Sequence, residues 1–276
     1  MQNTKCALNV LTTVTALALA ACGGGSGDDA TSPTPAPAPA PAITVQGSAP
    51  AVSGDPLAVV FVPQTETSTR AVLQSIAHNA FPAQFQKATE GGAYTQLGID
   101  ANSLITLNAG KVVDIAGTGE FAIGRWTDGS SSIGSLNINQ GAHYAVGKPL
   151  KLLQDTTLQP DLSIGPKLSC KAIASTAPTA ISGNFAPGKL NAATATLALA
   201  GPTLQTVSLD VSIGTDSHVM ANISGTILNG VFQSNGVLHH VQVVGSSQSS
   251  PYLLVGFAMP TPSSGDVTGI VVLKCQ

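Results

Sequence analysis

Charge is scarce in this chain: Asp, Glu, Lys and Arg make up 9% of its 276 residues, against roughly 25% in ordinary soluble domains. Solubility must rest on Ser, Thr, Asn, Gln and Gly. The formal net charge is −3, and no run of Lys or Arg forms the basic stripe that a nucleic-acid binder needs. Nucleic acid is therefore excluded as a partner. Aromatic residues are equally few, at 4%, with Trp126 as the sole tryptophan. Several chemical signatures are missing: there is no Gly-x-Ser-x-Gly elbow, no His-Glu-x-x-His, no Cys-x-x-Cys and no Walker loop. Beyond the N-terminus no segment approaches the roughly 20 apolar residues that a spanning helix requires.

What is present begins with an address. Residues 1–21 read as a secretory signal, with Lys5 at the start, an apolar stretch and small residues at the end. Leu19-Ala20-Ala21-Cys22 resembles the lipobox of bacterial lipoproteins, which implies lipidation at Cys22 and a membrane partner reached through acyl chains. Gly23 in place of Asp favours the outer membrane over inner-membrane retention. Residues 22–42 form a tether: Gly23–Gly27 is flexible, and the Pro-Ala alternation from Pro33 to Ala42 favours an extended polyproline II rod. Of the four cysteines, Cys6 leaves with the signal and Cys22 carries lipid. Cys170 and Cys275 remain, an even number in an oxidising compartment, and are expected to form a disulfide.

The remainder reads mainly as β-structure. In 43–103 the signals are mixed: an apolar run at 57–62 is strand-like, whereas Leu73, Ile76, Ala77 and Ala80 follow the helical spacing and predict a helix over 69–80. A small mixed strand–helix subdomain is expected there. From 104 onward short Val/Ile/Leu/Thr runs alternate with Gly, Asn and Asp breaks, with Ala109-Gly110 and Asp128-Gly129 read as turns. Alternation is regular in Val207/Leu209/Val211/Ile213 and Val237/His239/Val241/Val243. The expectation for 104–276 is an antiparallel eight-stranded up-and-down barrel, whose closure removes exposed edges.

Two stretches carry a family likeness. Gly124-Arg125-Trp126 with His143-Tyr144-Ala145-Val146-Gly147, and Val255-Gly256-Phe257-Ala258 with a turn from Pro260 to Gly265 and Val267–Val272, resemble the barrel of the transferrin-binding protein B family and its surface-lipoprotein relatives. Ile181-Ser182-Gly183-Asn184-Phe185 and Ile223-Ser224-Gly225 lie where that family has strand starts. The chain lacks the family's Phe-Gly-Pro/Ala-Glu turn and phenylalanine-rich last strand. The resemblance thus implies a noncatalytic surface lipoprotein that binds a protein or captures a nutrient, without naming the ligand.

Few residues offer chemistry. His239 and His240 are strand neighbours and point to opposite faces, one toward the lumen and one toward solvent, so they cannot share a metal unaided. Gly117-Thr118-Gly119-Glu120 imitates a dinucleotide fingerprint but precedes strand-like text. No cofactor or metal is expected. Trp126, Arg125 and Tyr144 are the candidate binding residues, since Trp and Arg anchor interfaces, although packing the core or sealing a barrel end is the favoured role of the sole tryptophan, Trp126. The reading is a noncatalytic outer-membrane binding lipoprotein. A periplasm-facing structural lipoprotein, or capture of an apolar ligand or haem in the lumen, is the alternative.

Overall fold

The computed structural model describes residues 42–64, 80–153, 166–201 and 203–276. Within them the chain is all-β, with no α-helix and one 3-10 turn at Ala83–Phe85. The first sheet contains β1 (Ile43–Val45), β2 (Ala58–Val62), β3 (Lys87–Ala88), β4 (Tyr94–Leu97), β5 (Ile105–Thr118), β6 (Phe121–Ser131), β7 (Gly134–Leu136) and β8 (Ala142–Gly147). Its order is β2-β8-β6-β5-β4-β3, with β1 parallel to β5 and β7 antiparallel to β6. This sheet curves as a half-barrel around a core that includes Phe61, Trp126 and Tyr144.

The second sheet contains β9 (Lys167–Ser175), β10 (Thr179–Ala180), β11 (Lys189–Ala198), β12 (Thr203–Ile213), β13 (Asp216–Ile227), β14 (Gly230–Ser234), β15 (Val237–Val244), β16 (Tyr252–Thr261) and β17 (Gly265–Cys275). Its order is β13-β12-β11-β9-β17-β16-β15-β14, with the two-residue β10 on β17. The sheet's first strand, β9, thus pairs with its last, and a nearly closed antiparallel barrel results. The open seam lies between β13 and β14, where Ser224 N–H donates to Ser234 Oγ (3.1 Å) and Asn235 Nδ2 to Asn222 O (2.9 Å). At the closing seam Cys170 and Cys275 are cross-strand partners and form the expected disulfide. The barrel interior is filled by side chains such as Leu197, Leu204, Val207, Leu209, Val255 and Phe257.

The sheet boundary differs from the expected one. Strands β5 to β8 pair within the half-barrel, not the barrel. The described residues of 43–103 join the same sheet and form no mixed subdomain. Alternation identifies a strand but not the sheet that receives it, and β2, β6 and β8 are held together by register across long stretches of chain. The helix expected over 69–80 lies outside the described residues except for Ala80. So do the signal, Cys22 and the tether up to residue 41.

Two expected turns are instead one bulged crossing. Ala109 faces Ser130 and Lys111 faces Thr127, which leaves Gly110 and Asp128-Gly129 as unpaired insertions in continuous strands. At Gly110 (φ 125°) a Cβ would lie 2.8 Å from the carbonyl oxygens of Thr127 and Asp128, so the backbones approach too closely for side chains.

The two sheets pack back to back. In β2, Val59 and Phe61 enter the half-barrel core, whereas Ala58, Val60 and Val62 face outward into a second core shared with Leu238, Leu254, Ile270 and Val272 of the barrel. Strands β2, β8 and β15 are consequently buried at every residue. Gly256 sits at the closest approach: a Cβ there would lie 2.7 Å from Val60 Cγ1 and 2.8 Å from Val62 Cγ2.

Gly256→Val is expected to lower stability by about 1–3 kcal/mol through overpacking at this interface. The urea midpoint measures it, and an unchanged midpoint would mean that the sheets do not meet there. Replacing both Cys170 and Cys275 by Ala should cost about 2–5 kcal/mol, because the bridge closes a loop spanning 105 positions. A thermal midpoint equal to that of the parent protein would contradict this.

Candidate binding site

The three residues singled out for binding lie inside the protein. Trp126 is fully buried, donates Nε1–H to the Tyr94 carbonyl (2.7 Å) and packs against Phe61 with ring centroids 5.4 Å apart. Tyr144 is also fully buried, and its hydroxyl accepts the Tyr94 N–H (3.1 Å). Burial pushes the Tyr144 hydroxyl's pKa up. Gly124, directly opposite in register, leaves the space that the Tyr144 ring and hydroxyl occupy. These aromatics close the half-barrel core and present no surface to a partner.

Arg125 points the other way, as strand alternation requires. Its Nε–H donates to Asp114 Oδ2 (2.7 Å) and its Nη1 to the Gln140 carbonyl (3.1 Å). The same Asp114 oxygen accepts the N–H of Ala177 (3.0 Å) in the β9–β10 connection. Next to Arg125 across the ladder is His143, with Nδ1 2.8 Å from Thr176 Oγ1 and Nε2 2.9 Å from Thr179 Oγ1. Gln140 Nε2 donates to the carbonyls of Ile181 and Gly183 (both 3.1 Å). Half-barrel residues thus reach the barrel's stretch from the end of β9 through β10 to Gly183 through a run of satisfied polar contacts.

An imidazole between two hydroxyls has the spacing of a base and a nucleophile. Here His143, Thr176 and Thr179 are each at most 1% exposed, so no substrate atom reaches them. The arrangement is a structural clamp.

The remaining histidines divide between faces. His239 points into the barrel, where Nδ1–H donates to the Val237 carbonyl (3.2 Å) and Nε2 accepts from Thr226 Oγ1 (3.0 Å). His240 points outward, yet into the covered interface and not to solvent, because the half-barrel lies over that face. Its Nε2 meets Gln242 Nε2 (3.0 Å), and its Nδ1 has no partner among the described residues. His218 is exposed and bonds Asp210 (3.0 Å). Among the described residues no three metal-ligating side chains gather. Gly117 and Gly119 lie at the end of β5 and in its turn to β6, with strand on both sides.

An accessible concavity among the described residues lies elsewhere, at the end of the half-barrel where β4 turns into β5 and β6 into β7. It is a cleft of about 260 Å3 with Phe81 and Leu97 at its base and Ile99, Ile105 and Ile133 around it. The sequence carries no signal for it, since its isoleucines belong to separate segments and only the register brings them together.

No family model matches the chain, and no curated protein matches it.

Burial lowers the pKa of His143, aided by the Arg125 charge, and also those of His239 and His240; His240 is pushed down to about 4 by burial and then by the neighbouring His239. Each imidazole takes up its proton less readily folded than unfolded. Their contribution to stability is therefore complete above the unfolded value of about 6.5 and is withdrawn as pH falls toward the folded values. Unfolding free energy is expected to be level above pH 7 and to drop by about 3 kcal/mol or more between pH 6.5 and 4. Urea titrations across that range measure it; a slope that persists unchanged in His240→Asn would remove that residue from the account.

Proposed function

We propose that this chain is a noncatalytic binding lipoprotein of the bacterial outer membrane, held by lipid at Cys22 and spaced from the bilayer by its Gly/Ser and Pro-Ala tether. The support is of two kinds. In the sequence, Leu19-Ala20-Ala21-Cys22 resembles a lipobox, and the following residues cannot pack. In the fold, the hydroxyl–imidazole contacts around His143 are sealed from solvent, whereas an apolar cleft is open. That cleft is the observation that carries the binding reading. The likeness to the transferrin-binding protein B family accords with it, and a nutrient or a protein is the class of ligand it suggests. The packed barrel interior moves capture of a small apolar molecule from the lumen to the half-barrel.

The test is fractionation of cells that express the full chain. The parent protein is expected in the outer-membrane fraction, and Cys22→Ala in the soluble fraction with an unchanged melting temperature. Retention of the Cys22→Ala protein in membranes would overturn the anchor. Protease added to intact cells separates the two orientations: digestion supports surface presentation, and protection supports the periplasm-facing alternative.

A further inference from the structure

The open cleft of the half-barrel is held in shape by side chains that bind backbone. Gln86 clamps one wall: its Nε2 donates to the Gly98 carbonyl (2.6 Å) and its Oε1 accepts the Gly98 N–H (3.1 Å). The same Nε2 reaches the Pro82 carbonyl (2.9 Å), which ties that wall to the segment carrying Phe81. The loop bearing Ile99 is folded around Ser103, whose Oγ accepts the N–H groups of Ile99 (3.2 Å) and Asp100 (3.1 Å). Across the mouth Ser132 does the same work: its Oγ accepts the Thr106 N–H (3.0 Å), and its own N–H donates to the Thr106 carbonyl (2.8 Å). That pair of bonds sets Ile133, 51% exposed, over Ile105. The backbone of the cleft is thus held on three sides by these bonds.

The lining also sorts ligands by charge. Among the described residues that line it there is no charged group, and its one hydroxyl, on Ser103, already serves the backbone. The charged residue of the adjoining loop is Asp100, an acid. None of the described lining residues neutralises a carboxylate or phosphate, and burying an unpaired anion is costly. Apolar contact is what the cleft offers, in a concave site slightly smaller than the usual small-molecule pocket.

We propose that this cleft binds a small, neutral, apolar molecule, either one or two fused rings or a short hydrocarbon chain, and excludes its anionic analogues. This deepens the binding reading by naming a site and a ligand class.

The probe is 1-aminonaphthalene, titrated into the purified full-length protein and followed by its fluorescence, with 4-amino-1-naphthalenesulfonate as its anionic counterpart. Saturable enhancement is expected with the neutral probe, with affinity weaker by about tenfold or more for the sulfonate. Ile133→Asp places a charge at the exposed mouth without disturbing the core, and should weaken the neutral probe about tenfold or more. Ile227→Asp, at an exposed position on β13, should leave it unchanged. The proposal is overturned by the absence of saturation at millimolar probe, by equal affinity for the sulfonate, or by unaltered binding in Ile133→Asp. Release of Cys22→Ala from membranes reads the anchor separately, so failure of this site and failure of the lipoprotein reading are distinguishable.

Discussion

The back-to-back packing of the half-barrel on the barrel is the contact on which the remainder of the structure depends. A sheet with one wet face alternates apolar and polar residues, as β12 does with Val207, Leu209 and Val211 directed inward. Strands β2, β8 and β15 cannot do so, because one face belongs to the half-barrel core (β2, β8) or the barrel core (β15) and the other to the shared interface. The text of β2 is accordingly apolar throughout, whereas β8 and β15 also bury His143, His239, His240 and Gln242.

Polar groups within that interface are few and almost all satisfied. Asp114 serves Arg125 from one side and the Ala177 backbone from the other, and His143 sits between two threonine hydroxyls. Buried networks of this kind are stable only when nearly complete, since each unpaired member is penalised in a low-dielectric setting. They also fix orientation: apolar contact alone would let one sheet slide on the other, whereas Arg125, Gln140 and His143 each reach a defined acceptor or hydroxyl.

Much of this was legible in the residues and some was not. The Cys170–Cys275 pairing followed from cysteine number and compartment, and the strands of the C-terminal half from their alternation. Arg125 and Trp126 face opposite ways, as adjacent strand residues must. His239 and His240 do as well, but the outward one meets a second sheet, and no local pattern announces what covers a strand's far face. Ala109-Gly110 and Asp128-Gly129 carry turn chemistry, yet they lie opposite each other as bulges where two backbones nearly touch; glycine there reflects a close approach and not a reversal. The cleft was invisible because its register partners are distant in sequence and its clamp is Gln86, a residue type with no motif. For Trp126 the sequence favoured a core role over a binding anchor and left Tyr144 open between the two, and burial places both in the core.

The central claim is that half-barrel and barrel form one cooperative body through their shared face. Amide hydrogen exchange across a urea series tests it most directly, comparing peptides from β6 and β8 with peptides from β11 and β12. The account predicts that the most protected amides of both groups open with the same free energy and the same urea dependence, as in one global unfolding event. Opening of the β6 and β8 amides at lower urea, while those of β11 and β12 stay protected, would contradict it and reduce the interface to a loose contact.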